Sequence, residues 1–118
     1  MKEQILVVDD EQDARDYLAA LLEDSGYTVR TAADGRRAME EVKEERPALI
    51  LLDLEMPAET GTGFFRKLRD KKELRDIPVI VVSGLAGRNV AVSRRIPVLD
   101  KPLDRDRVLA EVRKALGG

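Results

Sequence analysis

The chain contains no histidine, no cysteine and no tryptophan. Without cysteine there is no disulfide framework and no thiolate chemistry, which suits a reducing compartment. Without histidine there is no His–Cys zinc site, no Ser–His–Asp triad and no imidazole base. Any phosphoryl group handled here is therefore not carried as a phosphohistidine of this chain. Aromatic residues make up only 3%, so the core must be built from Leu, Ile, Val and Ala. Charge of one sign is also missing: 37% of residues are charged, yet the net charge is −2. Nothing in that balance draws nucleic acid or an anionic membrane. No apolar run approaches the roughly 20 residues of a membrane span, and Met1-Lys2-Glu3-Gln4 opens no signal segment. A cytoplasmic chain is expected. With 118 residues and no linker or change in composition, residues 1–118 are read as one domain.

What is present is a repeated alternation of two patterns. Leu49-Ile50-Leu51-Leu52 is a continuous apolar run between Pro47 and Pro57 that ends in Asp53. Such a run predicts a strand buried on both faces, as in a parallel sheet. Ile5-Leu6-Val7-Val8, ending in Asp9-Asp10-Glu11, repeats the theme, as does Val79-Ile80-Val81-Val82, ending in Ser83-Gly84. Thr28-Val29-Arg30-Thr31-Ala32 is a weaker strand suited to an edge, and Val98-Leu99 a short last one leading into Asp100-Lys101-Pro102.

Between these strands apolar residues recur at helical spacing. The first helix carries Ala14, Leu18, Leu21 and Leu22 and is stopped by Ser25-Gly26. The second is capped by Asp34 and buries Ala38, Met39 and Val42. A third, opening at Gly61-Thr62-Gly63, carries Phe64, Phe65 and Leu68. Residues 85–95 allow at most a short helix. The last begins at Asp104, with Leu103 and Val108 stapled across the cap and Val108, Leu109, Val112 and Leu116 inward. Five βα units predict an α/β fold: a doubly wound, five-stranded parallel sheet in the flavodoxin-like order 2-1-3-4-5, with a shortened fourth helix.

In such sheets ligands bind beyond the carboxyl ends of the strands. Four strands here end in polar residues at that edge: Asp9-Asp10, Asp53, Ser83 and Asp100-Lys101. Singly, each has an ordinary account. Acids at the start of a helix are favourable by about 0.3–1 kcal/mol each, and Ser-Gly is a common turn. Jointly they bring three carboxylates together, which repel one another and call for a cation. Hard oxygen donors favour Mg²⁺. A lysine and a hydroxyl at the same mouth suit phosphoryl oxygens.

With these residues the whole chain resembles the receiver domains of bacterial two-component response regulators. The resemblance rests on Asp9-Asp10, on Asp53 with Met56-Pro57 and Gly61, on Ser83-Gly84 and on Lys101-Pro102. It implies that Asp53 accepts a phosphoryl group from a histidine kinase, a phosphotransfer protein or a small phosphodonor, and that the signal passes to a downstream protein target. It further implies Mg²⁺ held by Asp10, Asp53 and the backbone carbonyl of Glu55, with Asp9 assisting through water, while Ser83 and Lys101 contact the phosphoryl group. The chain would then catalyse its own phosphoryl transfer and dephosphorylation, with no independent substrate turnover.

Three residues or segments depart from the pattern. Val98 stands where many relatives carry an aromatic residue or histidine, and the stretch between Ser83 and Lys101 is short. Glu55 adds a carboxylate near the mouth, a position from which it can alter dephosphorylation. Two other functions compete: a pseudo-receiver that binds partners without being phosphorylated, and a small metal-dependent phosphatase or nuclease. The complete acid set disfavours the first, and the lack of a second substrate-binding segment disfavours the second.

Overall fold

The computed structural model describes residues 3–53, 60–83 and 96–117. Strands β1 (Gln4–Val8), β2 (Thr28–Ala32), β3 (Leu49–Asp53), β4 (Val79–Ser83) and β5 (Val98–Asp100) form one sheet. Every pairing is parallel and the order is β2-β1-β3-β4-β5, as the alternation predicts. Helices α1 (Gln12–Asp24), α2 (Gly35–Glu44), α3 (Thr60–Asp70) and α4 (Arg105–Ala115) are the four among the described residues. The short helix expected within residues 85–95 lies outside them, so α4 here is the last helix of the predicted series.

Alternation along the strands divides the core into two layers. Leu6, Val8, Ile50, Leu52, Val79 and Val81 face α2 and α3, meeting Ala38, Met39, Val42, Phe64 and Leu68. Ile5, Val7, Leu49, Leu51, Ile80, Val82 and Leu99 face α1 and α4, meeting Leu18, Leu21, Leu22, Val108 and Val112. β3 is buried along its whole length, which is why its sequence does not alternate. β2 is an edge strand with exposed or half-exposed residues at four of its five positions. Ala14, Phe65, Leu109 and Leu116 are only partly buried, at the margins of the predicted faces.

Local signals set the helix ends. The Asp34 side chain accepts the Arg37 N–H at 2.8 Å, and Asp104 accepts that of Arg107 at 3.3 Å. Leu103 joins Val108 in the same apolar cluster across that cap. At the end of α1, Gly26 has a φ of +98°, a left-handed conformation that strains any side chain. The Tyr27 N–H then reaches the Leu22 carbonyl at 3.1 Å and the Gly26 N–H that of Glu23 at 3.0 Å, closing the helix. None of the helices among the described residues is long and apolar enough to cross a membrane.

Candidate phosphoryl and metal site

Strand register brings the charged residues together. Val8 is level with Leu52, Asp53 with Val82, and Val82 with Leu99. Asp9 and Asp53 therefore lie side by side just past the paired positions, and both continue the series that faces α1 and α4. Lys101 continues the parity of Leu99 on β5, two strands from β3 across β4. Ser83 is the last residue of β4 and is level with Asp100; its side chain lies outside the described atoms. Glu55, Met56, Pro57 and Gly84 lie outside the described residues altogether.

Asp9, Asp10 and Asp53 each offer a carboxylate oxygen within 4.8 Å of the others. Asp9 and Asp53 are both 2% exposed, whereas Asp10 faces solvent. The Lys101 Nζ stands 3.4 Å from Asp53 Oδ1, and its side chain keeps 30% of its surface. A buried carboxylate is thus flanked by a cation on one side and by two acids on the other.

Asp9 is fixed along its length. Its N–H donates to the Ala32 carbonyl at 3.1 Å, extending the β1–β2 ladder. Its Oδ1 accepts the Glu11 N–H at 2.9 Å, and its carbonyl accepts Nη1 of Arg15 at 2.7 Å. Burial pushes the Asp9 carboxyl up to about 6 from 3.8; the Asp53 charge and a hydrogen bond to Asp53 add to this, against the Glu11 N–H and Lys101. Loss of water around the charged form is the main physical cause, with the neighbouring Asp53 charge adding to it, and a cation bound there would relieve both. Three carboxylates, one of them open to water, match the hard-oxygen, partly hydrated sphere that Mg²⁺ prefers.

Two residues were not singled out by sequence. Arg15 braces the Asp9 carbonyl. Glu41 is buried on α2, 2.7 Å from Nη1 of Arg30 and 2.8 Å from Nη2 of Arg37. Charged residues on a helix read as solvated unless the partner is known, so no pattern in the sequence marks either.

Comparison with known proteins agrees with this architecture. Residues 5–113 match the family described as the response regulator receiver domain. Protein Rrf1 of Nitratidesulfovibrio vulgaris is 34% identical, over 98% of this chain and 84% of Rrf1. The Azorhizobium caulinodans nitrogen assimilation regulatory protein NtrX is 35% identical over 98% of this chain, and the Caulobacter vibrioides response regulator PleD 38% over 96%. In both, the match spans 26% of the longer protein. Among solved structures, Vibrio cholerae chemotaxis protein CheY4 superposes with a TM-score of 0.85 at 28% identity, covering 98% of this chain and all of CheY4. NtrX from Brucella abortus gives 0.86 at 32%, covering 99% of this chain and 27% of that protein. Sheet order, clustered acids and the match over nearly the full length converge, and the chain belongs to the response regulator receiver domain family of two-component signalling.

Proposed function

We propose that this chain is a phosphorylatable switch in which Asp53 accepts the phosphoryl group. The observation that carries the reading is the Asp53 carboxylate, buried at the carboxyl end of the central strand with Lys101 at 3.4 Å and Asp9 and Asp10 beside it. An Asp53 oxygen attacks phosphorus, forming an acyl phosphate as the bond to the donor breaks. With a histidine kinase or phosphotransfer protein as donor, a P–N bond breaks and the leaving imidazole takes a proton. With a small phosphodonor, a P–O bond breaks. Water later attacks the phosphorus, the P–O bond to Asp53 breaks, and inorganic phosphate leaves with the carboxylate restored.

Asp9, Asp10 and Asp53 would hold Mg²⁺, with the carbonyl of Glu55 as a further donor. Bound there, the ion neutralises charge building on the phosphoryl oxygens. Lys101 supplies the fixed positive charge on the opposite side, and Ser83, at the end of the neighbouring strand, supplies a hydroxyl. We take residues 1–118 as one receiver unit, working in the cytoplasm on a downstream protein target. Neither nucleic acid nor membrane is a direct partner.

Incubation with acetyl phosphate and Mg²⁺ followed by intact mass measurement tests the reading. One added phosphoryl group is expected, lost in Asp53→Asn, which keeps the shape without the nucleophile. No mass gain in the wild type would leave a receiver that binds partners unphosphorylated. A label mapped to Asp9, Asp10 or Ser83 would overturn the assignment of Asp53.

A further inference from the structure

We infer that Arg15 is a positioning residue of the acidic cluster: it holds the Asp9 carbonyl and so sets where the Asp9 and Asp10 carboxylates meet a divalent cation. The two acids sit on the turn between β1 and α1, and that turn needs an external brace. Glu11, at the N-cap of α1, makes no side-chain capping bond, so the usual device for fixing the chain at a helix start is missing. Arg15 takes its place. Its N–H donates to the Glu11 carbonyl at 3.1 Å, as an ordinary helical bond. Its guanidinium reaches two residues further back, to the Asp9 carbonyl at 2.7 Å. One residue of the first helical turn thus grips both ends of the three-residue segment that carries the acids.

The remaining bonds of that segment complete the brace. The Asp9 N–H is tied to β2 through Ala32, and Asp9 Oδ1 to the Glu11 N–H. Asp9 lies against Asp53, and like charges there push the segment outward. Arg15 opposes that push through its hydrogen bond to the Asp9 carbonyl. Outer residues that orient metal-binding side chains commonly change affinity about 10- to 100-fold when removed.

This inference deepens the proposed function and rests on it, but its test is read on the metal alone. Mg²⁺ binding to the full chain is measured by calorimetry in wild type, Arg15→Met, Arg15→Lys and Leu109→Ala. Leu109, half-buried on α4, serves as a control that loosens packing away from the cluster. Arg15→Met is expected to weaken Mg²⁺ binding about tenfold. Arg15→Lys, which can still donate to the carbonyl, should recover most of that loss, and Leu109→Ala should leave the affinity within twofold. Amide exchange at Asp10 and Glu11 in the metal-free chain should quicken in Arg15→Met and not in Leu109→Ala. Equal affinities in wild type and Arg15→Met, no recovery by lysine, or a wild type without Mg²⁺ affinity would each overturn the inference. A wild type that binds Mg²⁺ but takes no phosphoryl group would instead sink the proposed function, with Arg15 still judged by the affinities.

Discussion

At the scale of single residues, the site works by placing unlike neighbours around one buried carboxylate. Asp53 has Lys101 at 3.4 Å and two acids whose oxygens approach within 4.8 Å. The lysine is the part of this set that does not depend on a metal. It offsets the Asp53 charge before transfer and would meet the phosphoryl oxygens afterwards. Removing a donor aimed at charge that develops in a transition state typically costs about 10²- to 10³-fold in rate. Lys101→Met is therefore expected to slow phosphorylation by acetyl phosphate by about 10²-fold. Lys101→Arg, which keeps the charge in a wider and planar form, should fall between. Time courses of intact mass measure both, and a methionine variant as fast as wild type would remove Lys101 from the mechanism. These acids and the lysine were legible in the sequence because each lies within two residues of the end of an apolar run, so position relative to a strand end is written in the chain. Arg15 and Glu41 were not: the Asp9 carbonyl that Arg15 holds lies outside α1, and Arg30, which pairs with Glu41, lies on β2.

At the scale of elements, α2 is tied to the edge strand by charge rather than by capping alone. Glu41, buried on α2, receives Arg30 from β2 at 2.7 Å and Arg37 from its own helix at 2.8 Å. Arg30 also donates to the Glu45 carbonyl at the helix end, where the C-terminal carbonyls lack partners. Removing one member of a buried pair commonly destabilises by about 3–5 kcal/mol. Here the arginines keep 21% and 59% of their side-chain surface, so water recovers part of the loss. Glu41→Ala is expected to cost about 2 kcal/mol, read as a lower urea midpoint with an unchanged slope. A change within about 0.5 kcal/mol, the range of ordinary surface substitutions, would mean the cluster contributes no more than a surface ion pair.

Element boundaries were legible where a residue has one physical job: Asp34 and Asp104 as caps and Gly26 as the left-handed stop. β5 runs one residue past the predicted Val98-Leu99, to Asp100. Its ladder bonds come from β4, and a three-residue segment carries too little pattern to fix its end. Val98 is only partly buried, against the α2–α3 layer, and offers no ring there.

At the scale of the molecule, the sheet order was legible because βα alternation with right-handed crossovers leaves few topologies. What alternation does not encode is the electrostatic state of the finished edge, where folding forces Asp9 and Asp53 together out of water. Sheet formation thus carries an opposing charge contribution that metal would relieve. Asp9 has its carboxyl raised to about 6 in the fold against 3.8 for the free side chain. A group that holds its proton more tightly when folded stabilises the fold where it is protonated. That contribution is lost as pH rises through the window from 3.8 to about 6. At 1.36 kcal/mol per pH unit, the opposing contribution at pH 7 amounts to at most about 3 kcal/mol.

Asp9→Asn isolates this effect from the other carboxylates of the chain. Without metal at pH 7, the asparagine variant should melt higher than wild type, and the gap should close as pH falls below about 6. With excess Mg²⁺ the gap should narrow sharply at pH 7, because a cation bound only by the native state adds about 2.7 kcal/mol at a hundredfold excess over Kd, and the variant binds it less well. That narrowing should fade toward acid as protons compete for the same oxygens. Paired thermal melts across pH 4.5 to 7.5, with Mg²⁺ and with chelator, read all four trends. Melting differences independent of both pH and Mg²⁺ would mean that the crowded acids at the sheet edge neither repel one another nor hold a metal.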